Sequence, residues 1–216
     1  MLRRTLMAAA AACSLVAMPA FAQVTIGAAP GSNPYAGPVP TYDFEGAVPY
    51  SGGLVTTGSS STGAQPWGST GNYWTVGPVG AVNTGPGFLD LSSFAQLGSI
   101  SFLWGSVDSY NTLEVLGRAN EILATFTGAN VALPANGNQT NPATNPLVTL
   151  SFLGATQSNI GGLRLTSTQQ AFEVDNFAVN AVPEPGVWAM LLVGFGFIGS
   201  ALRGRKRQRR LRVNFA

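Results

Sequence analysis

Histidine is absent from this chain of 216 residues, and cysteine occurs once, at Cys13. The first absence removes serine–histidine and cysteine–histidine catalysis and histidine-ligated zinc. The second leaves everything after residue 22 without a disulfide or a thiol nucleophile, so a folded unit there must rest on its core or on a metal. Charge is scarce as well, at 9% of residues, and the formal net charge of +2 hides a separation. Of the 11 cations, Arg3 and Arg4 open the chain and seven lie between Arg203 and Arg212, which leaves Arg118 and Arg164 in the stretch 23–182. Against those two stand Asp43, Glu45, Asp90, Asp108, Glu114, Glu121, Glu173 and Asp175, a net charge of −6. Such a surface repels phosphate, which excludes nucleic acid as a partner.

The two ends read as targeting segments. Arg3-Arg4, the apolar stretch Leu6 to Ala17 and the small-residue site Pro19-Ala20-Phe21-Ala22 predict a signal peptide over 1–22, handled by the Sec translocon and cut by signal peptidase after Ala22. A lipoprotein box at Cys13 fits poorly, because Ala10-Ala11-Ala12 lacks the usual leucine and the apolar run continues past the cysteine. At the other end, 16 uncharged residues run from Val187 to Leu202 and six cations follow in the next eight. As a helix that run covers about 24 Å, slightly less than the hydrocarbon core. A basic flank marks the cytoplasmic side, so the expectation is a transmembrane helix over 187–202, with the deficit met by local thinning. Gly194-Phe-Gly196-Phe-Ile-Gly199 matches a dinucleotide-binding glycine pattern, yet it follows no strand and opens no crossover, which removes that reading.

Pro183-Glu184-Pro185, then Trp188-Ala189, a Gly/Phe-rich span and an arginine cluster resemble the PEPxxWA form of the PEP-CTERM sorting signal, over 183–210. The resemblance implies recognition and processing by an exosortase, a membrane-embedded cysteine transpeptidase-like enzyme of Gram-negative bacteria. It further implies an inner-membrane-inserted precursor that ends at the cell surface or in the extracellular matrix. The prolines agree with it, since both keep the boundary peptide out of a helix and open to an enzyme. Trp104-Gly105-Ser106, Asp108, Tyr110-Asn111 and Phe172 to Asn176 are similar to segments of an exosortase-dependent surface-protein family, which supplies no activity.

Between the ends lies one exported domain, 23–182. A Pro/Gly-rich lead segment precedes an expected strand at Thr41 to Glu45, with Tyr42 and Phe44 on one face and Asp43 and Glu45 on the other. A long Gly/Ser/Thr loop follows to Tyr73, broken by a short strand near Leu54 to Thr57. Further strands are expected at Tyr73–Val76, Ala81-Val82, Ser99–Gly105, Thr112–Leu116, Glu121–Thr127, Leu147–Leu153, Ile160–Thr166 and Ala171–Val179, and Phe88-Leu89-Asp90-Leu91 precedes one helical turn at Ser92–Phe94. Short strands, frequent turns and no crossover helix predict an all-β, antiparallel β-sandwich of jelly-roll type.

The chemistry left to such a domain is narrow. A carboxylate-pair glycosidase is the remaining hydrolase, and Glu114 with Glu121 flanks one hairpin, but opposed acids on a solvated face explain that pair better. The domain is therefore read as non-enzymatic, associated with extracellular polysaccharide, the alternative being a carbohydrate-binding module with a defined glycan site. Of Trp67, Tyr73, Trp74, Trp104 and Tyr110, the ligand candidate is Trp67, in a polar loop, while Trp104 suits the core. If the first and last strands pair, Asp43, Glu45, Glu173 and Asp175 gather and a structural calcium is the candidate cofactor, against the alternative of a solvated acidic face.

Overall fold

The computed structural model describes residues 23–183 and 185–210; the expected signal peptide 1–22 lies outside the described residues, as do Glu184 of the motif and residues 211–216. Among the described residues, eleven strands precede a single α-helix: β1 (Gln23–Ala29), β2 (Tyr50–Ser51), β3 (Leu54–Thr57), β4 (Asn72–Val76), β5 (Gly87–Asp90), β6 (Leu97–Gly105), β7 (Asn111–Gly117), β8 (Ile122–Thr127), β9 (Leu147–Leu153), β10 (Ile160–Ser167), β11 (Phe172–Ala181) and α1 (Pro185–Arg210). They form two antiparallel sheets, ordered β1-β9-β6-β11-β4-β3 and β2-β5-β10-β7-β8.

Both sheets send alternate residues into one hydrophobic cluster, as the two-residue period of a strand requires. Ile100, Phe102 and Trp104 of β6, Val148, Leu150 and Phe152 of β9, and Phe172 and Val174 of β11 meet Leu89, Leu113, Val115, Leu163 and Leu165 of the second sheet. Aromatic rings run through this cluster. Trp104 stacks on Phe172 at 4.2 Å between centroids, Phe102 on Phe177 at 4.9 Å, and Phe44 meets both Phe177 and Trp74 at about 6 Å. Such pairs add about 0.5–1.5 kcal/mol each beyond their burial.

Four expectations change. Thr41 to Glu45 is not a strand, because Phe44 takes the left-handed conformation at φ 60°, which turns the chain and drops its ring into the core. What remains of the expected pairing with the last strand is one antiparallel bridge, Tyr42 to Phe177, with Tyr42 N–H donating to the Phe177 carbonyl at 3.0 Å and Phe177 N–H returning at 2.8 Å. Gln23–Ala29 is a strand after all, paired with β9 along all seven residues. Ala81 and Val82 lie in a turn rather than a strand, with Val82 exposed.

Truncating Phe172 to Ala should cost about 3–5 kcal/mol, since it removes a fully buried ring from the stack with Trp104. Val79→Ala, at a residue 87% exposed, is expected within about 0.5 kcal/mol of the parent by urea denaturation.

Candidate functional site

β11 pairs with β6 on one side and β4 on the other. Its residues alternate, Phe172 and Val174 facing the core, Glu173 and Asp175 facing away. The face away from the core is not solvated. The loop between Gly58 and Gly71 lies across it, and Gly105 of β6 makes this possible, because a Cβ there would sit 2.8–2.9 Å from Pro66. Glu173 and Asp175 are consequently 3% and 1% exposed.

Each acid is met by hydrogen-bond donors rather than cations. Glu173 accepts the Ala64 N–H on Oε1 and the Ser106 hydroxyl on Oε2, both at 2.9 Å. Asp175 accepts the Ser69 hydroxyl on Oδ2 at 2.5 Å and the Asn176 N–H on Oδ1 at 2.7 Å. Asn176, at φ 56°, sits where the register with β6 slips, and this bulge returns Phe177 to the core side. Burial pushes both carboxyls up to about 7. The donors oppose that shift, while Asp108 adds to it at Glu173 and Asp43 and Glu45 add to it at Asp175.

The four acids named as calcium candidates each accept from protein donors. Glu45 accepts the backbone N–H and the side-chain amide of Asn72, Asp43 accepts the Glu45 N–H, and Glu173 points to Ala64 and Ser106. Among the described residues no group of three or more acidic side chains is arranged to hold a metal ion. The sequence placed Glu173 and Asp175 on the correct face of the strand but left that face in water. Trp67 is half-buried in the covering loop, its backbone N–H donating to the Asn145 Oδ1 at 3.2 Å. Tyr73, Trp74 and Trp104 are fully buried, and Tyr110 bonds through its hydroxyl to Asp108 and the Gln170 carbonyl, both at 2.6 Å. Glu114 pairs with Arg164 on the second sheet, whereas Glu121 accepts from the Asn159 amide and the Ala119 N–H, so the two glutamates serve different partners.

The motif residues follow β11 without a spacer. Ala181 still pairs with Leu97, the Val182 N–H donates to the Gln96 carbonyl at 3.0 Å, Pro183 is exposed, and α1 begins at Pro185. Trp188 and Ala189 fall in its first turns, and Met190, Leu192, Phe195 and Phe197 are exposed on it. The expected helix is there, and among the described residues no helix is long and apolar enough to cross a membrane. The helix carries no charge from Pro185 to Leu202 and continues from Arg203 into the basic tail. Gly194, Gly196 and Gly199 lie inside this helix with open space at each Cβ position, and no strand precedes them.

Residues 181–207 match the PEP-CTERM protein-sorting motif family. Neither the curated proteins nor the solved structures contain a match to the chain. The motif indicates exosortase-dependent sorting of a surface protein and implies exosortase as the processing partner.

The two buried carboxyls set a pH dependence with a defined sign. Folding favours their protonated forms, raising them from ordinary values of 4.5 and 3.8 to about 7. The stability they contribute is full below about pH 4 and is lost as pH rises through about 7. The melting temperature should therefore fall between pH 5 and pH 8. Glu173→Gln keeps the acceptor for Ala64 and offers a donor to Ser106, so this variant should melt with a flatter profile and higher than the parent at pH 8. A parent more stable at pH 8 than at pH 5 contradicts the assignment.

Proposed function

We propose that this chain is an exported, non-enzymatic surface protein whose sorting segment delivers a jelly-roll domain to the extracellular polysaccharide of a biofilm. The match of residues 181–207 to the sorting motif carries this reading. Supporting the jelly-roll type, the eight strands β4 to β11 divide into β9-β6-β11-β4 and β5-β10-β7-β8, with the chain alternating between sheets at every step but β7 to β8. β1, β2 and β3 then widen the two sheets at their edges.

Export begins with the segment 1–22 and the Sec translocon. The precursor is held at the inner membrane of a Gram-negative bacterium, with the apolar run of α1 engaged by the membrane-embedded exosortase rather than standing alone as a span. The exposed Met190, Leu192, Phe195 and Phe197 supply that contact. Pro183 interrupts backbone donation between the end of β11 and the start of α1, leaving the intervening peptide accessible. Catalysis has no support in the site. Glu173 and Asp175 lie under a loop, Glu114 serves an ion pair, Glu121 a turn, and Glu45 accepts from Asn72.

Changing Pro183, Pro185 and Trp188 together to Ala should leave the precursor in the inner-membrane fraction with its basic tail attached, as should loss of the exosortase. Unchanged delivery to the surface in both cases overturns the reading.

A further inference from the structure

We propose that the outer face of the five-stranded sheet is a binding site for a neutral saccharide, centred on the Arg164–Glu114 pair and extended across a field of threonine hydroxyls. The site deepens the matrix-association reading above and rests on it for its biological setting.

A cavity of about 250 Å³ opens on this face, lined among others by Glu114, Arg164, Thr166, Ser167, Val79 and Pro86. Drug-sized ligands occupy pockets from roughly 300 to 1,000 Å³, so this one suits a group about the size of one sugar ring. Arg164 and Glu114 are register partners on β10 and β7, both pointing away from the core because Leu163, Leu165, Leu113 and Val115 occupy it. The Arg164 Nε donates to Glu114 Oε2 at 2.6 Å, fixing the guanidinium, and this bond raises the arginine above its ordinary value. Its two η nitrogens, and Glu114 Oε1, have no hydrogen-bond partner among the described residues. A fixed fork of donors beside a carboxylate acceptor is what a vicinal diol requires, since each hydroxyl both donates and accepts.

The wall is also fixed. The Gly77 N–H bonds the Asn83 carbonyl at 2.6 Å and Gly85 N–H bonds the Gly77 carbonyl at 3.0 Å, with the Asn83 side chain fully buried beneath. Val79 stands 87% exposed on this wall, an apolar surface for the C–H face of a ring. Beyond the cavity the register places Thr125 beside Glu114, and Thr112 between Thr166 and Thr127, all pointing outward. These four hydroxyls continue the polar surface across β10, β7 and β8.

Charge selects the ligand class. Arg164 is already balanced by Glu114, and the domain carries −6, so an anionic polymer gains no net attraction here and is repelled at longer range. A neutral hexose polymer meets no such barrier.

The test uses the purified full-length chain and a panel of neutral gluco-, manno- and galacto-oligosaccharides, with oligouronates as the charged arm. Calorimetry should show binding of at least one neutral oligosaccharide, weakened about tenfold or more in Arg164→Lys and severalfold in Thr166→Val. Hydrogen exchange on the parent should show protection by that sugar in Ile160–Ser167 and Gly77–Pro86, a readout that needs no variant to fold. No binding across the neutral series, tighter binding of uronates, or protection elsewhere overturns the proposal. The assay is independent of sorting: cells lacking the exosortase that still place the protein in the matrix overturn the sorting reading and leave this site standing.

Discussion

Most of this molecule depends on the two faces of β11. One face supplies Phe172, Val174 and, past the bulge at Asn176, Phe177 to the core, where they meet Trp104, Phe102 and Phe44. The other carries Glu173 and Asp175 under the Gly58–Gly71 loop. Burying an acid without a cation is costly unless donors meet it, and here burial pushes both carboxyls up to about 7 while each accepts two donors. The acids in turn hold the loop, through Ala64 and Ser69. With no cysteine after residue 22, core stacking and this capped polar layer carry a role that disulfides often fill in exported domains.

The strands from β4 onward, β5 excepted, were legible because their apolar residues recur at period two and turn residues separate them. β6, β7, β9, β10 and β11 all lie where alternation puts them. β1 was not, since Gly27, Ala28 and Ala29 give little strand signal and its formation depends on the waiting edge of β9. The segment Thr41 to Glu45 alternates well and still is no strand, because one left-handed residue, Phe44, outweighs the pattern. Period two likewise assigned Glu173 and Asp175 to the correct side of β11. It carries no information about what covers that side, and the cover comes from a loop whose Gly, Ser and Thr composition reads as solvent-facing. The small residue at Gly105 was the available signal, for it marks where another backbone approaches.

The sorting segment was legible for a different reason: it is a linear signal read by an enzyme as sequence, so little of it depends on the fold. The fold adds its position. β11 is an interior strand of the six-stranded sheet, its pairing runs to Ala181, and Val182 still bonds to Gln96. The processing enzyme therefore meets a folded domain at the edge of its motif rather than a loose tether. A cut on the domain side of Val182 would remove residues that pair with β6, whereas a cut within 183–186 leaves both sheets whole.

That positional claim is tested most directly by the intact mass of the protein recovered from the cell surface. The account predicts a mature chain beginning at Gln23 and ending between Pro183 and Gly186, with all of β11 retained and the Arg203–Arg212 tail gone. A surface protein that keeps the tail, or one that ends upstream of Ala181, contradicts it.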